Sequence, residues 1–131
     1  MIVVVLAAAL AGGALAATSR TAARIPVSEK EWGVAPRPAL ARAGRVTFVV
    51  KNIGHLKHEF LVVKTRTLAA KLKVRAAKAV LGGPTVGRIA LLAPGQTRRL
   101  SLRLAVGHYV LLCNLPAHYQ AGQRIDFRVH A

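Results

Sequence analysis

The sequence has 131 residues with 20 Lys and Arg against 4 Asp and Glu, a formal net charge of +16, and it contains one Cys. A single Cys excludes an internal disulfide and any metal site that needs two thiolates from one chain. Four acidic residues leave little for paired-carboxylate catalysis or for an oxygen-rich calcium site. The length predicts one domain.

The N-terminal segment, residues 1–17, differs from the rest of the chain because it is uncharged and almost wholly apolar. Its apolar run and its small-x-small ending are typical of a signal peptide. No Lys or Arg precedes the run, so a retained N-terminal membrane anchor stays open as an alternative. Residues 18–26 predict a linker and residues 27–131 the folded domain. We therefore expect an exported protein, periplasmic or secreted, or one anchored to the outer face of the cytoplasmic membrane.

Most of the domain predicts β-strands separated by turns rich in Gly, Pro and Asn. Apolar and polar residues alternate most clearly at 97–104 and 124–130, which is the pattern of a sheet with one buried face. In chain order the predicted strands are 27–34, 45–51, 59–64, 97–104, 108–112 and 124–130. Short strands over about 105 residues predict an all-β fold, a small antiparallel β-sandwich. Within the first strand, Trp32 is predicted to be a core residue.

Residues 67–80 do not follow the strand pattern. Leu68, Leu72 and Ala76 are spaced by four, and further Ala residues lie between them. This spacing predicts a short helix around residues 67–80, across one end of the sandwich. Residues 64–78 are also strongly basic, and we interpret them as a solvated surface.

Chemically versatile side chains concentrate near the C-terminus. Cys113 follows the predicted strand 108–112, His118 comes after a four-residue spacer, and Gln123 after another four. His58 stands at the head of the predicted strand 59–64. A lone Cys is often only a small buried hydrophobe, but one thiolate, two imidazoles and a weak axial donor form the ligand set of a blue-copper electron-transfer site.

Three motifs resemble the cupredoxin family, the plastocyanin- and azurin-like blue-copper proteins. They are Asn52-x-Gly54-x3-His58-Glu59-Phe60, Leu92-Ala-Pro-Gly-Gln-Thr97 and Gly107-x-Tyr109-x3-Cys113-Asn-x-Pro116-x-His118. The resemblance runs from about residue 27 to the C-terminus. It implies a Greek-key β-sandwich holding one type 1 copper ion, with His58, Cys113 and His118 as equatorial metal ligands.

The axial position departs from the usual pattern of the family, which has Met there. This chain has Gln123, as the stellacyanin-like members do, and an oxygen donor favours the oxidised ion and so lowers the reduction potential. The resemblance also implies that Asn52 and the backbone around Glu59 hydrogen-bond across the ligand loops. The exposed edge of His118, ringed by small apolar residues such as Pro116, would be the electron port.

The resemblance implies a carrier of single electrons and not an enzyme. Two alternatives stay open: a copper delivery or storage protein, and a copper-free cupredoxin-like interaction domain. The positive charge predicts acidic redox protein partners or an anionic membrane surface. Nucleic acid is not expected for an exported protein with few aromatic stacking residues. We expect a monomer.

Overall fold

The computed structural model describes residues 12–14 and 22–131. The predicted leader lies outside these residues except for 12–14, and so do residues 18–21 of the predicted linker. Within the described part of the chain, no helix is both long and apolar enough to cross a membrane.

Two β-sheets form a sandwich. The strands in the described residues are Ala23–Lys30 (β1), Gly33–Pro36 (β2), Leu40–Arg42 (β3), Gly44–Asn52 (β4), His58–Lys64 (β5), Val74–Arg75 (β6), Lys78–Ala79 (β7), Thr85–Leu92 (β8), Thr97–Leu104 (β9), Gly107–Leu112 (β10) and Arg124–His130 (β11). One sheet has the order β2-β1-β4-β9 and the other the order β3-β11-β10-β5-β8. A 3-10 turn at Ala69–Lys71 and a short helix, α1, at His118–Ala121 complete the elements.

This architecture confirms the predicted all-β sandwich. It differs in one respect, because β1 pairs with β4 in parallel and β11 pairs with β3 in parallel. The sheets are therefore mixed, whereas the strand pattern predicted antiparallel ones. Five of the six predicted strands correspond to β4, β5, β9, β10 and β11.

Three fully buried aromatic side chains join the two sheets. Phe48 of β4 lies with its ring centroid 5.5 Å from Phe60 of β5 and 5.3 Å from Phe127 of β11. Burying each such ring stabilises the fold by roughly 1.5–3 kcal/mol, and edge-to-face pairs add to this. The contact holds β4 of the first sheet against β5 and β11 of the second.

β5 and β10 are buried on both faces, which explains their unbroken apolar sequences. One face looks into the sandwich, and the other packs under the segment 65–81. Leu61 and Val63 of β5 and Leu112 of β10 form a second buried cluster with Leu72 and Tyr119. Packing on both faces therefore holds β5, which carries His58, and β10, which precedes Cys113.

The predicted helix around residues 67–80 is wrong. The 3-10 turn is followed by the β6–β7 hairpin, whose connecting residues Ala76 and Ala77 have φ of 49° and 62°. The Tyr119 hydroxyl accepts a hydrogen bond from the Leu72 backbone N–H at 3.0 Å and donates to the Ala69 carbonyl at 2.7 Å. These backbone groups would bond within a helix, so a tertiary contact overrides the helical propensity.

The predicted first strand, 27–34, is in fact two strands. β1 starts at Ala23, within the predicted linker, and ends at Lys30, and β2 starts at Gly33. The two residues between them, Glu31 and Trp32, form a tight turn. The prediction that Trp32 is a core residue is wrong, because this residue is 44% exposed.

Candidate metal centre

His58, Cys113 and His118 converge at one end of the sandwich. His58 opens β5, Cys113 follows the neighbouring strand β10, and His118 opens α1. The Nδ1 atoms of the two histidines are 3.3 Å apart, and the Cys113 Sγ is 3.4 Å from the His118 Nδ1. One donor atom from each residue lies within 4.8 Å of the other two. His58 and Cys113 are fully buried, and His118 is half-buried.

These distances suit a single metal ion. Two imidazole nitrogens bound to one ion at roughly 2 Å, with a near-tetrahedral angle, lie roughly 3.3 Å apart. The Cys113 sulfur lies next to these nitrogens, and a soft sulfur ligand favours copper. The donor atoms and the distances between them therefore fit the type 1 copper ion that the sequence predicted.

The Gln123 side chain gives an independent indication of a metal site. It is fully buried, yet neither amide atom has a hydrogen-bond partner. The Gln123 backbone carbonyl accepts from the Cys113 N–H at 3.1 Å, and the Gln123 N–H donates to the His118 carbonyl at 3.1 Å. An unsatisfied buried amide costs roughly 1–3 kcal/mol, and a bond from its oxygen to a metal would offset that cost.

Burial controls the protonation of the thiol. It raises the pKa of Cys113 from 9.0 to about 11, against a smaller opposing effect from the Glu59 N–H, which donates to the Sγ at 3.3 Å. Without a metal, Cys113 is therefore a neutral thiol near pH 7. Because the thiolate is the ligand form, metal binding must displace its proton.

Burial also keeps the His58 imidazole neutral. Desolvation is the largest effect on its pKa, which is lowered from 6.5, and the negative charge of Glu31 partly opposes this. A neutral imidazole has a free ring nitrogen, which is the state that binds metal. His58 is therefore already in its ligand form at neutral pH.

The hydrogen bond that the resemblance implied for the Glu59 backbone is present, because its N–H donates to the Cys113 Sγ, whereas the Asn52 side chain bonds elsewhere. The Asn52 side chain donates to the carbonyls of Leu56 at 2.7 Å and Leu92 at 2.8 Å. Besides the N–H bond to the thiol, the Glu59 carboxylate accepts from the Asn114 N–H at 3.1 Å. The Glu59 bonds connect β5 with the loop that carries Cys113, and the Asn52 bonds hold the segment before His58 against the end of β8.

Asn114 and Tyr119 fasten the ligand loop to the segment 69–79, a role that the sequence did not predict. Asn114 bonds both backbone groups of Ala79, accepting from the N–H at 2.8 Å and donating to the carbonyl at 3.1 Å. Tyr119 bonds the 3-10 turn, as described above. The segment that replaces the predicted helix therefore supports the loop that holds Cys113 and His118.

The β1–β2 turn supplies two further residues that sequence reasoning missed. The Glu31 carboxylate lies 2.7 Å from the His58 Nε2, and the Trp32 ring packs against the His118 ring. Neither belongs to a recognised motif, and the turn is distant in sequence from the ligand loop. No signal in the sequence connected these residues to the site.

The surroundings of His118 are apolar and partly open. Pro116 and Ala117 are exposed, as the predicted electron port requires. Trp32 extends this apolar surface on another side of the His118 ring. The His118 side chain is therefore half-buried among apolar residues and keeps partial access to solvent.

The same fold occurs in blue-copper proteins of known structure. A dithionite-reduced auracyanin from the photosynthetic bacterium Roseiflexus castenholzii is 23% identical, with a TM-score of 0.64, covering 84% of this chain and 98% of that one. Auracyanin A, a "blue" copper protein from Chloroflexus aurantiacus, is 21% identical, with a TM-score of 0.58 and coverages of 82% and 98%. Rusticyanin from Thiobacillus ferrooxidans is 13% identical, with a TM-score of 0.64 and coverages of 82% and 76%. No protein-family model and no curated protein matches the sequence. The fold is therefore that of the cupredoxins.

Proposed function

We propose that this chain is a type 1 copper protein of the cupredoxin family that carries single electrons between redox partners. The observation that carries the proposal is the convergence of the Cys113 thiol with two imidazoles beside a buried, unpartnered Gln123. His58, Cys113 and His118 would be the equatorial ligands and Gln123 the axial one. When bound, copper supplies a one-electron couple between Cu(II) and Cu(I).

The chain's own contribution is to hold the donors still and to exclude water. His58 is fixed by the sheet, and Cys113 is fixed by hydrogen bonds to the backbone of Glu59 and of Gln123. The side chains of His58, Cys113 and Gln123 are inaccessible to solvent. Catalytic metal sites keep an open coordination position for substrate. Three enclosed donors beside a half-buried His118 favour electron transfer through the ligands, so we propose a carrier and not an enzyme.

The surface charge supports acidic redox partners. The outer face of the β2-β1-β4-β9 sheet carries six exposed cations and, among the described residues, no acidic one: Arg24, Lys30, Arg45, Lys51, Arg99 and Arg103. Of the Lys and Arg residues that the structure describes, Arg88 alone pairs with a carboxylate. A positive field of this kind accelerates encounter with an acidic partner. The rate of electron exchange with an acidic partner should therefore fall as ionic strength rises. An anionic membrane surface is the alternative partner for this basic face, and binding to anionic vesicles would test it.

We also propose export, on the composition of residues 1–17 alone. Cell fractionation and the mass of the mature chain test this directly. A chain shortened near residue 17 in the periplasm or medium supports a cleaved signal peptide. A full-length chain in the membrane fraction supports the anchor, and a cytoplasmic chain rejects export.

The copper proposal is tested by reconstituting the purified full chain with Cu(II). We expect an intense thiolate-to-copper visible band and a reversible one-electron couple by voltammetry. Cys113→Ser should abolish the band, whereas Ser101→Ala, on the opposite sheet, should leave it unchanged. Cu(I) binding without the band after oxidation would indicate copper delivery or storage. Failure to take up copper would indicate a copper-free interaction domain.

A further inference from the structure

Two consecutive residues in the β1–β2 turn each contact a different predicted histidine ligand. The Glu31 Oε1 lies 2.7 Å from the His58 Nε2, on the ring edge opposite the Nδ1 that faces His118. The Trp32 and His118 rings pack edge to face, with centroids 4.8 Å apart and planes at 78°. One short turn therefore contacts both imidazoles from outside the ligand set.

The carboxylate of Glu31 is itself firmly held. It accepts hydrogen bonds from the backbone N–H groups of His55, at 2.9 Å, and Leu56, at 2.8 Å. Both carboxylate oxygens therefore serve as hydrogen-bond acceptors in this turn, Oε1 for Leu56 and Oε2 for His55.

The position of Glu31 decides which His58 nitrogen carries the proton. Because the Glu31 Oε1 is an acceptor, the His58 Nε2 that lies 2.7 Å from it must be the donor. The Nδ1 is then left with its lone pair free, facing Cys113 and His118. Carboxylates commonly orient metal-binding histidines in this way, fixing the tautomer and making the ring a stronger donor.

Gly54 provides the space for this contact. A Cβ at position 54 would lie 2.6 Å and 2.7 Å from the two Glu31 carboxylate oxygens. The Gly54 N–H also bonds the Asn52 side chain at 2.9 Å, which fixes the loop beside Glu31. A glycine at this position therefore lets the carboxylate reach the loop backbone and His58 together.

Trp32 acts on the other imidazole through packing. Its ring is partly exposed, so core burial does not explain its position. Its backbone carbonyl lies 3.4 Å from where a Cβ of Gly122 would stand, directly before Gln123. The turn thus packs on the ligand loop as well as on the His118 ring.

We propose that the Glu31–Trp32 turn is a positioning clamp for both imidazole ligands, in which Glu31 fixes the His58 tautomer and Trp32 fixes the His118 ring. Where it concerns copper, the inference rests on the proposed function. A fixed negative charge next to a ligand stabilises the oxidised ion over the reduced one. Glu31 therefore also lowers the reduction potential of the centre.

The first test needs no copper. Nitrogen-15 NMR of the copper-free full chain should show His58 as the Nε2–H tautomer. Glu31→Gln should keep this tautomer because the amide oxygen still accepts, whereas Glu31→Ala should give a mixture. Gly54→Ala should also give a mixture, because the added Cβ would displace the Glu31 carboxylate. Lys30→Ala, an exposed neighbour, is the matched control and should behave like the wild type.

The second test uses the copper-loaded chain. Glu31→Gln should raise the reduction potential while keeping the visible band, a combination that loss of structure would not produce. Trp32 is the only Trp in the chain, so Cu(II) binding should remove most of the tryptophan fluorescence. Trp32→Phe should keep the wild-type visible spectrum, and Trp32→Ala should alter it.

Several results would overturn the clamp. They are an Nδ1–H tautomer in the wild type, an unchanged tautomer in both Glu31→Ala and Gly54→Ala, or an unchanged potential in Glu31→Gln. Unquenched fluorescence in a fully loaded chain would remove Trp32 from the site. A chain that takes up no copper refutes the proposed function, and the tautomer measurements then decide the role of Glu31 separately.

Discussion

Replacement of the buried Glu29 should change how the stability of the copper-free protein depends on pH. Glu29 lies on the inward face of β1 after Ile25 and Val27, is 0% exposed, and has no hydrogen-bond partner for either carboxylate oxygen. Burial, and secondly the charge of Glu59, raises its pKa from 4.5 to about 8. The folded protein therefore holds a proton on Glu29 at pH values where the unfolded chain has lost it.

The sign and the size of the effect follow from this difference in protons bound. Between pH 4.5 and about 8, the folded state binds one more proton at Glu29 than the unfolded state does. The free energy of unfolding therefore decreases as pH rises, by about 1.4 kcal/mol per pH unit. Over the whole interval the loss is on the order of 5 kcal/mol, which is comparable to the total stability of many domains.

Glu29→Gln should abolish this loss, because an amide does not ionise in this range. Urea denaturation of the copper-free wild type and variant, at several pH values from 5 to 8 with a reductant, measures the difference. The variant should be similar to the wild type near pH 5 and several kcal/mol more stable at pH 8. Glu31→Gln is the control: the pKa of Glu31 is lowered to about 2, so its stabilisation is lost only below pH 4.5. A constant difference between Glu29→Gln and wild type from pH 5 to 8 would refute the reasoning.

Three further predictions concern the ligands and one close contact. Copper binding at pH 7 should release about one proton, since the pKa of the Cys113 thiol is about 11; calorimetry in buffers of different ionisation enthalpy measures it, and no release would contradict it. Gln123→Met should raise the reduction potential, because a thioether favours the reduced ion; an unchanged or lower value removes Gln123 from the ligand set. Gly83→Ala should destabilise the protein by roughly 3 kcal/mol, because its Cβ would lie 1.9 Å from the Lys64 carbonyl oxygen; a loss below about 0.5 kcal/mol in urea denaturation would disprove this.

The predicted ligands were accessible from the sequence because most of them lie on one short stretch of chain. Cys113, His118 and Gln123 are separated by spacers of four residues, so chain connectivity alone limits how far apart they can lie. His58 was found because it heads an apolar run that predicts a buried strand. Local spacing and strand periodicity were sufficient for these residues.

The contacts around the ligands depend on packing between distant segments, which local patterns do not encode. The β1–β2 turn consists of Glu31 and Trp32 in place of the Gly, Asn or Asp that usually indicate a hairpin, so residues 27–34 were predicted as one strand. β8 was missed because, among its eight residues, Ile89 and Leu92 alone are buried, which leaves no alternation. In each case the tertiary neighbour, and not the local sequence, determines the conformation.

The scarcity of acidic residues takes on a specific meaning once each carboxylate is located. Glu31 and Glu59 hold the two sides of the candidate metal centre, Asp126 bonds His108, and Glu29 is buried. Because the carboxylates are used in these places, almost none is left to neutralise the surface cations. Negative charge near the site lowers the potential, while positive charge on the surface attracts an acidic partner. Under the proposed function, the reduction potential and the choice of partner therefore depend on opposite charges in separate parts of the molecule. Replacing a surface Lys or Arg should alter the encounter rate with the partner without altering the reduction potential.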